Sequence, residues 1–454
     1  MQRRDAIRIA LGSAAALAAG ARALDAGPSQ RPPRTAVDPL DLARRAGEWL
    51  LRHARPTDAG SAWPTAPGSG DAALTNLYTG NAGIVLFLLE LHAATGDGRF
   101  RDAALAGAHE LAAGQIARDL ERGNAGLYSG AAGLAFTLGV VGRVTGERHF
   151  GDAARDGGVG IVRAARSHAD GADWGDVTDI VSGSAGIGLF LLHAAATLEV
   201  PGALDRAADA GRRLSALGVP DRGGLRWPMA PTVPRNYPNF SHGTAGIAYF
   251  LAELHRATGD AAFLRAALAG ATYLDAIATR ADDGTLIFHS EPGNEDLYYL
   301  SWCHGPPGTA RLYRALARTT RDERWHGRLR AAALGVLGTG VPEQRTPGYW
   351  NNISQCCGDA GVGEFFLALH RLDPREEYID MAQRAAAWLH AHVTLDAHGG
   401  ACWIQAEHRV RPAETVAQTG LMQGAAGAGL FLLRLHGWES GRAPVFSLPD
   451  SPFG

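Results

Sequence analysis

Four cysteines stand in this chain of 454 residues, and three of them fall beside a repeated glycine signature. Cys303 lies two residues before Gly305, while Cys356 and Cys357 lie two and one before Gly358. One residue before the equivalent glycine, two segments carry His242 and His304; another carries Asp179 four residues before Gly183. Three thiolates gathered at one point, with a fourth position open, make the pattern of a reactive Zn²⁺ site. The metal suits soft sulfur ligands and lowers the pKa of any thiol or water it binds. A histidine beside such a site is a candidate acid or base, because small shifts carry its pKa across neutrality. Asp179 would orient or charge-pair that histidine, or else cap a helix. The plainer alternatives for sulfur are ordinary buried thiols, or a disulfide from Cys303 to one of the adjacent pair. Cys402, in GACWIQ, falls outside the matched positions and receives no role.

What must position these groups is a repeat. A Gly-x-x-Gly opens an apolar run seven times: YTGNAGIVLFLLEL, YSGAAGLAFTLG, VSGSAGIGLFLLHA, SHGTAGIAYFLAEL, CHGPPGTARLYRAL, CCGDAGVGEFFLAL and MQGAAGAGLFLLRL. Each run spans three or four helical turns and is apolar almost all round, as a helix buried on both sides requires. Between them lie more polar, amphipathic helices, beginning near Asp38, Phe100, Phe150, Pro201, Ala261, Asp322 and Pro374. Thr95-Gly96-Asp97, Thr145-Gly146-Glu147 and Thr258-Gly259-Asp260 mark the turns, with Gly as C-cap and an acid opening the next helix. Units of this size bury their apolar faces only by stacking. The expected fold is all-α: an α/α toroid, a double ring of seven inner and seven outer helices. An open solenoid is the alternative, though no terminal repeat reads as a polar cap. In a toroid the seven loops preceding the glycines open at one mouth, where function belongs.

Composition narrows the chemistry. The formal net charge is −3, which offers no footprint for nucleic acid. All 43 cationic residues counted as Lys+Arg are Arg, so a P-loop lysine, a Schiff base and a kinase-type ATP site are excluded. Arg3-Arg4 precede an apolar stretch from Ile9 to Ala21 and a small-x-small site at Ala21-Arg22-Ala23. That is the layout of an export signal of the twin-arginine type, which implies a periplasmic or extracellular protein; without it the chain would be cytoplasmic. The expected organisation is a signal over 1–23, a linker over 24–37, the toroid over 38–437 and a C-terminal tail over 438–454. No span of a membrane is expected once the signal is removed.

From about Asp38 to Gly437 the chain resembles the lanthionine synthetase C-like proteins. The most specific matches are SHG at Ser241–Gly243, SWCHGPPG at Ser301–Gly308 and CCGDAG at Cys356–Gly361. The resemblance implies an α/α toroid with central zinc that adds a cysteine thiol to dehydroalanine or dehydrobutyrine, forming a thioether in a peptide. It also implies that Cys303 and Cys356 are metal ligands. Cys357 stands where most members have histidine, so the site resembles the three-sulfur variant. His242 matches the family's acid and Asp179 its acidic partner. His304 stands where some members place Tyr, and Tyr299 where some have Arg. Zinc holds a substrate sulfur as thiolate but also dampens it, and a third anionic sulfur should offset part of that damping.

No dehydrating module accompanies these motifs, so a dehydrated residue must be made elsewhere. Three other readings follow: an exported enzyme adding small thiols to other electrophiles, a non-catalytic zinc-containing peptide binder, or a carbohydrate-active toroid. The last requires two carboxylates at the mouth, for which Asp179 and Asp359 are the acids at hand. Trp63, Trp174, Trp227, Trp302, Trp350 and Trp403 would either line a groove or pack loops on the rim.

Overall fold

The computed structural model describes residues 38–453, apart from 69, 71, 231, 234–235, 282–283 and 287–296. The expected signal and the whole of the expected linker therefore lie outside the described residues. Seven helices follow directly on the first glycine of each repeat: α2 (Asn81–Thr95), α5 (Ala131–Thr145), α7 (Ser184–Thr197), α9 (Thr244–Thr258), α11 (Pro306–Thr320), α13 (Asp359–Leu372) and α15 (Ala425–Ser440). Seven amphipathic helices alternate with them: α1 (Pro39–His53), α3 (Gly98–Ala112), α6 (Arg148–Arg163), α8 (Ala203–Ala216), α10 (Ala261–Ile277), α12 (Arg324–Leu337) and α14 (Glu376–Ala391).

Each inner helix packs on the next, and α15 returns to pack against α2, so the inner ring closes. The amphipathic α1 lies against α15, joining the two ends of the chain. An open solenoid is thereby excluded. One expected outer helix breaks in two: Gly114, at φ +79°, ends α3 and starts the short α4 (Gln115–Glu121).

The glycines act through close approach. The loop before each inner helix folds back across its N-terminus, so that Thr244 and Ala245 donate their N–H groups to the carbonyls of Tyr237 and Pro238, at 3.1 and 3.0 Å. Amides that would otherwise lack partners are satisfied in this way. A Cβ on Gly246, Gly361 or Gly427 would meet the carbonyl oxygen six residues upstream, on Phe240, Gln355 or Leu421. At the turns into the outer helices, Gly96, Gly146 and Gly259 take positive φ of 72–79°. Asp97 and Asp260 then cap the following helix, accepting from Arg99 N and Ala262 N.

Among the described residues, six two-stranded antiparallel hairpins of two or three residues per strand decorate the loops. After four of them a tryptophan turns back and donates its Nε1–H to the preceding outer helix. Trp63, Trp174, Trp227 and Trp403 reach the carbonyls of Leu50, Ile161, Leu214 and Leu389 at 2.7–2.8 Å. These four are buried and pack loops, whereas Trp302, also buried, lines a small cavity with Tyr128, Arg311 and Gln355. Trp350 is half-buried and edge-on to Tyr299.

The last inner helix runs past 437 to Ser440, and the segment after it is no separate tail. It packs onto the ends of the inner helices. Arg143, Arg434, Arg311 and Arg318 donate to the carbonyls of Val445, Phe446, Asp450 and Pro452, and Phe446 sits edge-on to Phe136. Among the described residues no helix is long and apolar enough to cross a membrane.

Candidate metal centre and acid–base pair

The residues two before the first glycines form a ring of their own. The N–H of Cys303 donates to Cys356 O (3.1 Å), Cys356 to Met422 O (3.0 Å), Met422 to Tyr78 O (2.8 Å) and Tyr78 to Tyr128 O (3.0 Å). Tyr128 donates to Val181 O (2.9 Å), Ile180 to Ser241 O (3.1 Å), and Ser241 to Cys303 O (2.9 Å), which closes the circuit. Seven loops, up to 344 residues apart along the chain from Tyr78 to Met422, are thus tied edge to edge by main-chain hydrogen bonds. Cys303 and Cys356 are direct neighbours in this ring, so their side chains leave from adjacent points.

The three sulfurs converge. Cys303 Sγ lies 3.5 Å from Cys357 Sγ, which lies 3.3 Å from Cys356 Sγ, and all three fall within 4.8 Å of one another. These separations are far beyond a disulfide bond of about 2.05 Å. All four cysteines are free thiols, so a Cys303 disulfide is excluded. Tetrahedral zinc, with Zn–S near 2.3 Å, sets its sulfurs about 3.8 Å apart, and the triangle fits that ion with small adjustment. Burial, with the sulfur of Cys303 alongside, pushes the Cys356 thiol well above its ordinary range, and the hydrogen bond to Cys303 raises Cys357 likewise, while hydrogen bonds from these two thiols hold Cys303 well below it. Ionisation of all three buried sulfurs together requires a cation. Cys402 is buried elsewhere, its thiol pushed up to about 11 by burial.

His242 and Asp179 meet as expected: Nδ1 of the imidazole lies 2.6 Å from Oδ2 of the carboxylate. The other oxygen of Asp179 accepts the N–H groups of Ser182 and Gly183, at 2.8 and 2.9 Å. Asp179 therefore both holds its own loop and orients the histidine. It is 1% exposed on its side chain, whereas His242 keeps 31% open. Burial disfavours the imidazolium, but the hydrogen bond and charge of Asp179 outweigh it and leave the His242 pKa above 6.5. With Nδ1 engaged, Nε2 is the nitrogen left to serve a ligand. His304 joins the same wall, its ring 5.7 Å from that of His242 and 5.4 Å from those of Tyr237 and Tyr299. The Tyr299 hydroxyl accepts from Arg409 Nε at 3.2 Å, so a guanidinium from the hairpin of Ile404–Ala406 and Thr415–Ala417 reaches this position.

Asp359 is unavailable to a ligand. Fully buried, it is held by Arg345 (3.0 Å) and the Tyr349 hydroxyl (2.7 Å). A carbohydrate site built on Asp179 and Asp359 is not formed. A second group, His109, Glu147 and His149, lies among the outer helices. Its imidazoles stack with planes 10° apart, and Glu147 is engaged by Arg101.

Two sulfur neighbours escape a reading by residue type. Gln423 and Tyr78 occupy the matched positions one and two before a glycine, in repeats seven and one, and Gln423 Nε2 lies 3.6 Å from Cys357 Sγ. The repeat register places them; nothing in an amide or a phenol by itself marks them.

The lanthionine synthetase C-like protein model matches residues 72–446. Among solved structures, the chain is similar to nisin cyclase, with a TM-score of 0.62 at 15% identity, covering 91% of this chain and 96% of that one. It is also similar to the Lin0763 protein from Listeria innocua, with a TM-score of 0.50 at 12% identity, covering 89% and 99%. At these identities the likeness to the two structures is one of fold. The sequence match spans most of the repeats together with the sulfur triangle and the His242–Asp179 pair, and on that ground the chain belongs to the lanthionine synthetase C-like family.

Proposed function

We propose that this protein is a zinc-dependent cyclase that adds a cysteine thiol across a dehydroalanine or dehydrobutyrine side chain, forming a thioether in a peptide. The observation that carries this reading is the meeting, at one mouth, of a three-sulfur cluster and a carboxylate-held histidine. Zinc, when bound by Cys303, Cys356 and Cys357, supplies a Lewis acid that keeps a substrate thiol ionised near neutral pH.

This chain's residues do the remaining work. Sulfur attack forms a bond to the alkene β-carbon, and the displaced π pair moves toward the α-carbon and its carbonyl. His242, kept protonated by Asp179, delivers the proton to the α-carbon from Nε2. The thiol proton lost at the start balances it, so S–H adds across the double bond with nothing oxidised or reduced. The buried, partnered Asp179 keeps the ring orientation constant throughout, and His304 with Tyr299 walls the same side of the mouth.

Substrate peptide and zinc-loaded protein, followed by mass spectrometry with a thiol-trapping reagent, test this reading. Loss of free thiol well above the protein-free rate is expected. A rate equal to that control would instead favour a zinc-containing peptide binder. The Arg3-Arg4 pair and the apolar stretch after it support export of the folded protein. In that compartment, small thiols and other electrophiles are the competing substrates to include.

A further inference from the structure

The sulfur of Cys357 faces a side-chain amide whose orientation is dictated by main-chain groups. Ser354 N–H, which only donates, lies 3.0 Å from Asn352 Oδ1, and Ala406 O, which only accepts, lies 3.0 Å from Asn352 Nδ2. Asn352 can therefore be placed only one way. Its Nδ2 also lies 3.3 Å from Gln423 Oε1, so the Gln423 oxygen must point at Asn352 and its NH₂ away from it. That NH₂ lies 3.6 Å from Cys357 Sγ and 3.1 Å from the Tyr78 oxygen. The main chain of Gln423 is pinned independently. Gln405 accepts from Ile353 N at 2.8 Å and donates to the Gln423 carbonyl.

The same NH₂ fills an acceptor site on the Tyr78 oxygen, so the Gln423 amide is fixed between Cys357, Tyr78 and Asn352. Ser301 Oγ lies 3.7 Å from Cys303 Sγ. Cys357 and Cys303 thus each have a neutral polar neighbour outside the sulfur cluster.

We propose that Gln423 is a positioning residue of the metal centre: oriented by Asn352, it gives one N–H to Cys357 and the other to the Tyr78 oxygen, which holds its amide against the sulfur cluster. Three thiolates on a divalent ion leave an excess negative charge in a buried place, and neutral donors aimed at sulfur stabilise that charge without adding a competing ligand. Outer partners of this kind commonly change metal affinity ten- to hundred-fold.

This inference rests on the metal reading above, and the test separates the two. Wild type, Gln423→Leu and Tyr78→Phe are compared as full chains by chelator competition for zinc and by absorption of the cobalt(II)-substituted proteins. Gln423→Leu keeps the Asn352–Ala406 and Gln405 contacts, and circular dichroism should match wild type. Zinc affinity should fall about ten- to hundred-fold. The sulfur-to-cobalt band should move to longer wavelength, since sulfur lone pairs rise in energy when a donor is removed. Tyr78→Phe, which removes one of the contacts that hold the Gln423 amide, should move the band the same way. A wild type that binds neither ion sinks the metal reading and this inference together. A wild type that binds, with affinity and band unchanged in both variants, sinks this inference alone.

Discussion

At the level of single residues, metal binding and proton delivery are separable. Cys356→Ala removes one corner of the triangle, and stoichiometric zinc should be lost in elemental analysis of reduced protein. His242→Ala leaves the sulfurs in place, so zinc should stay while turnover falls by about 10²–10⁴-fold, the usual range for a positioned acid. Thioether formation at wild-type rate by that variant would remove the role of His242. The pH dependence has a definite sign. His242 has a raised pKa because Asp179 faces it, so activity needing the imidazolium is lost as pH rises through that value. Asp179→Asn removes the charge, and the alkaline fall in a pH–rate profile should move to lower pH. The same pair contributes stability that is fully present below about pH 6.5 and is lost as pH rises through the raised pKa.

At the level of elements, the helices were legible because their signals are local. Seven runs after glycine, amphipathic runs between them and Thr-Gly-acid turns appear in the structure within a few residues of their expected places, although α11 carries Arg311, Arg314 and Arg318 and is not apolar all round. The hairpins were not legible, since strands of two or three residues are too short to show a period of two. The break at Gly114 was also missed, because an isolated glycine in a helical pattern is often tolerated. The closeness of the loops to the second glycine of each repeat makes a direct prediction. Gly361→Ala drives a methyl group into the Gln355 carbonyl and should cost about 1–3 kcal/mol, read as a lower denaturation midpoint. Unchanged stability would mean the loop yields freely.

At the level of the whole molecule, the chain's two ends secure the ring. The N-terminal helix packs on the last inner helix, and the C-terminal segment caps the inner helices through arginines that grip its carbonyls. Phe446→Ala should therefore lower the unfolding free energy by about 3–5 kcal/mol in chemical denaturation, although the residue lies outside the repeats. An effect below 1 kcal/mol would show that the segment is only draped on the surface.

Repeat period, helix type and the matched positions of Cys303, Cys356, Cys357, His242 and Asp179 follow from order along the chain, because a helical repeat writes its own register. Ring closure, the amide orientation of Gln423 and the confinement of Asp359 by Arg345 and Tyr349 do not. Each depends on partners supplied by distant loops, and a side chain of ordinary type acquires its role only when main-chain donors and acceptors surround it.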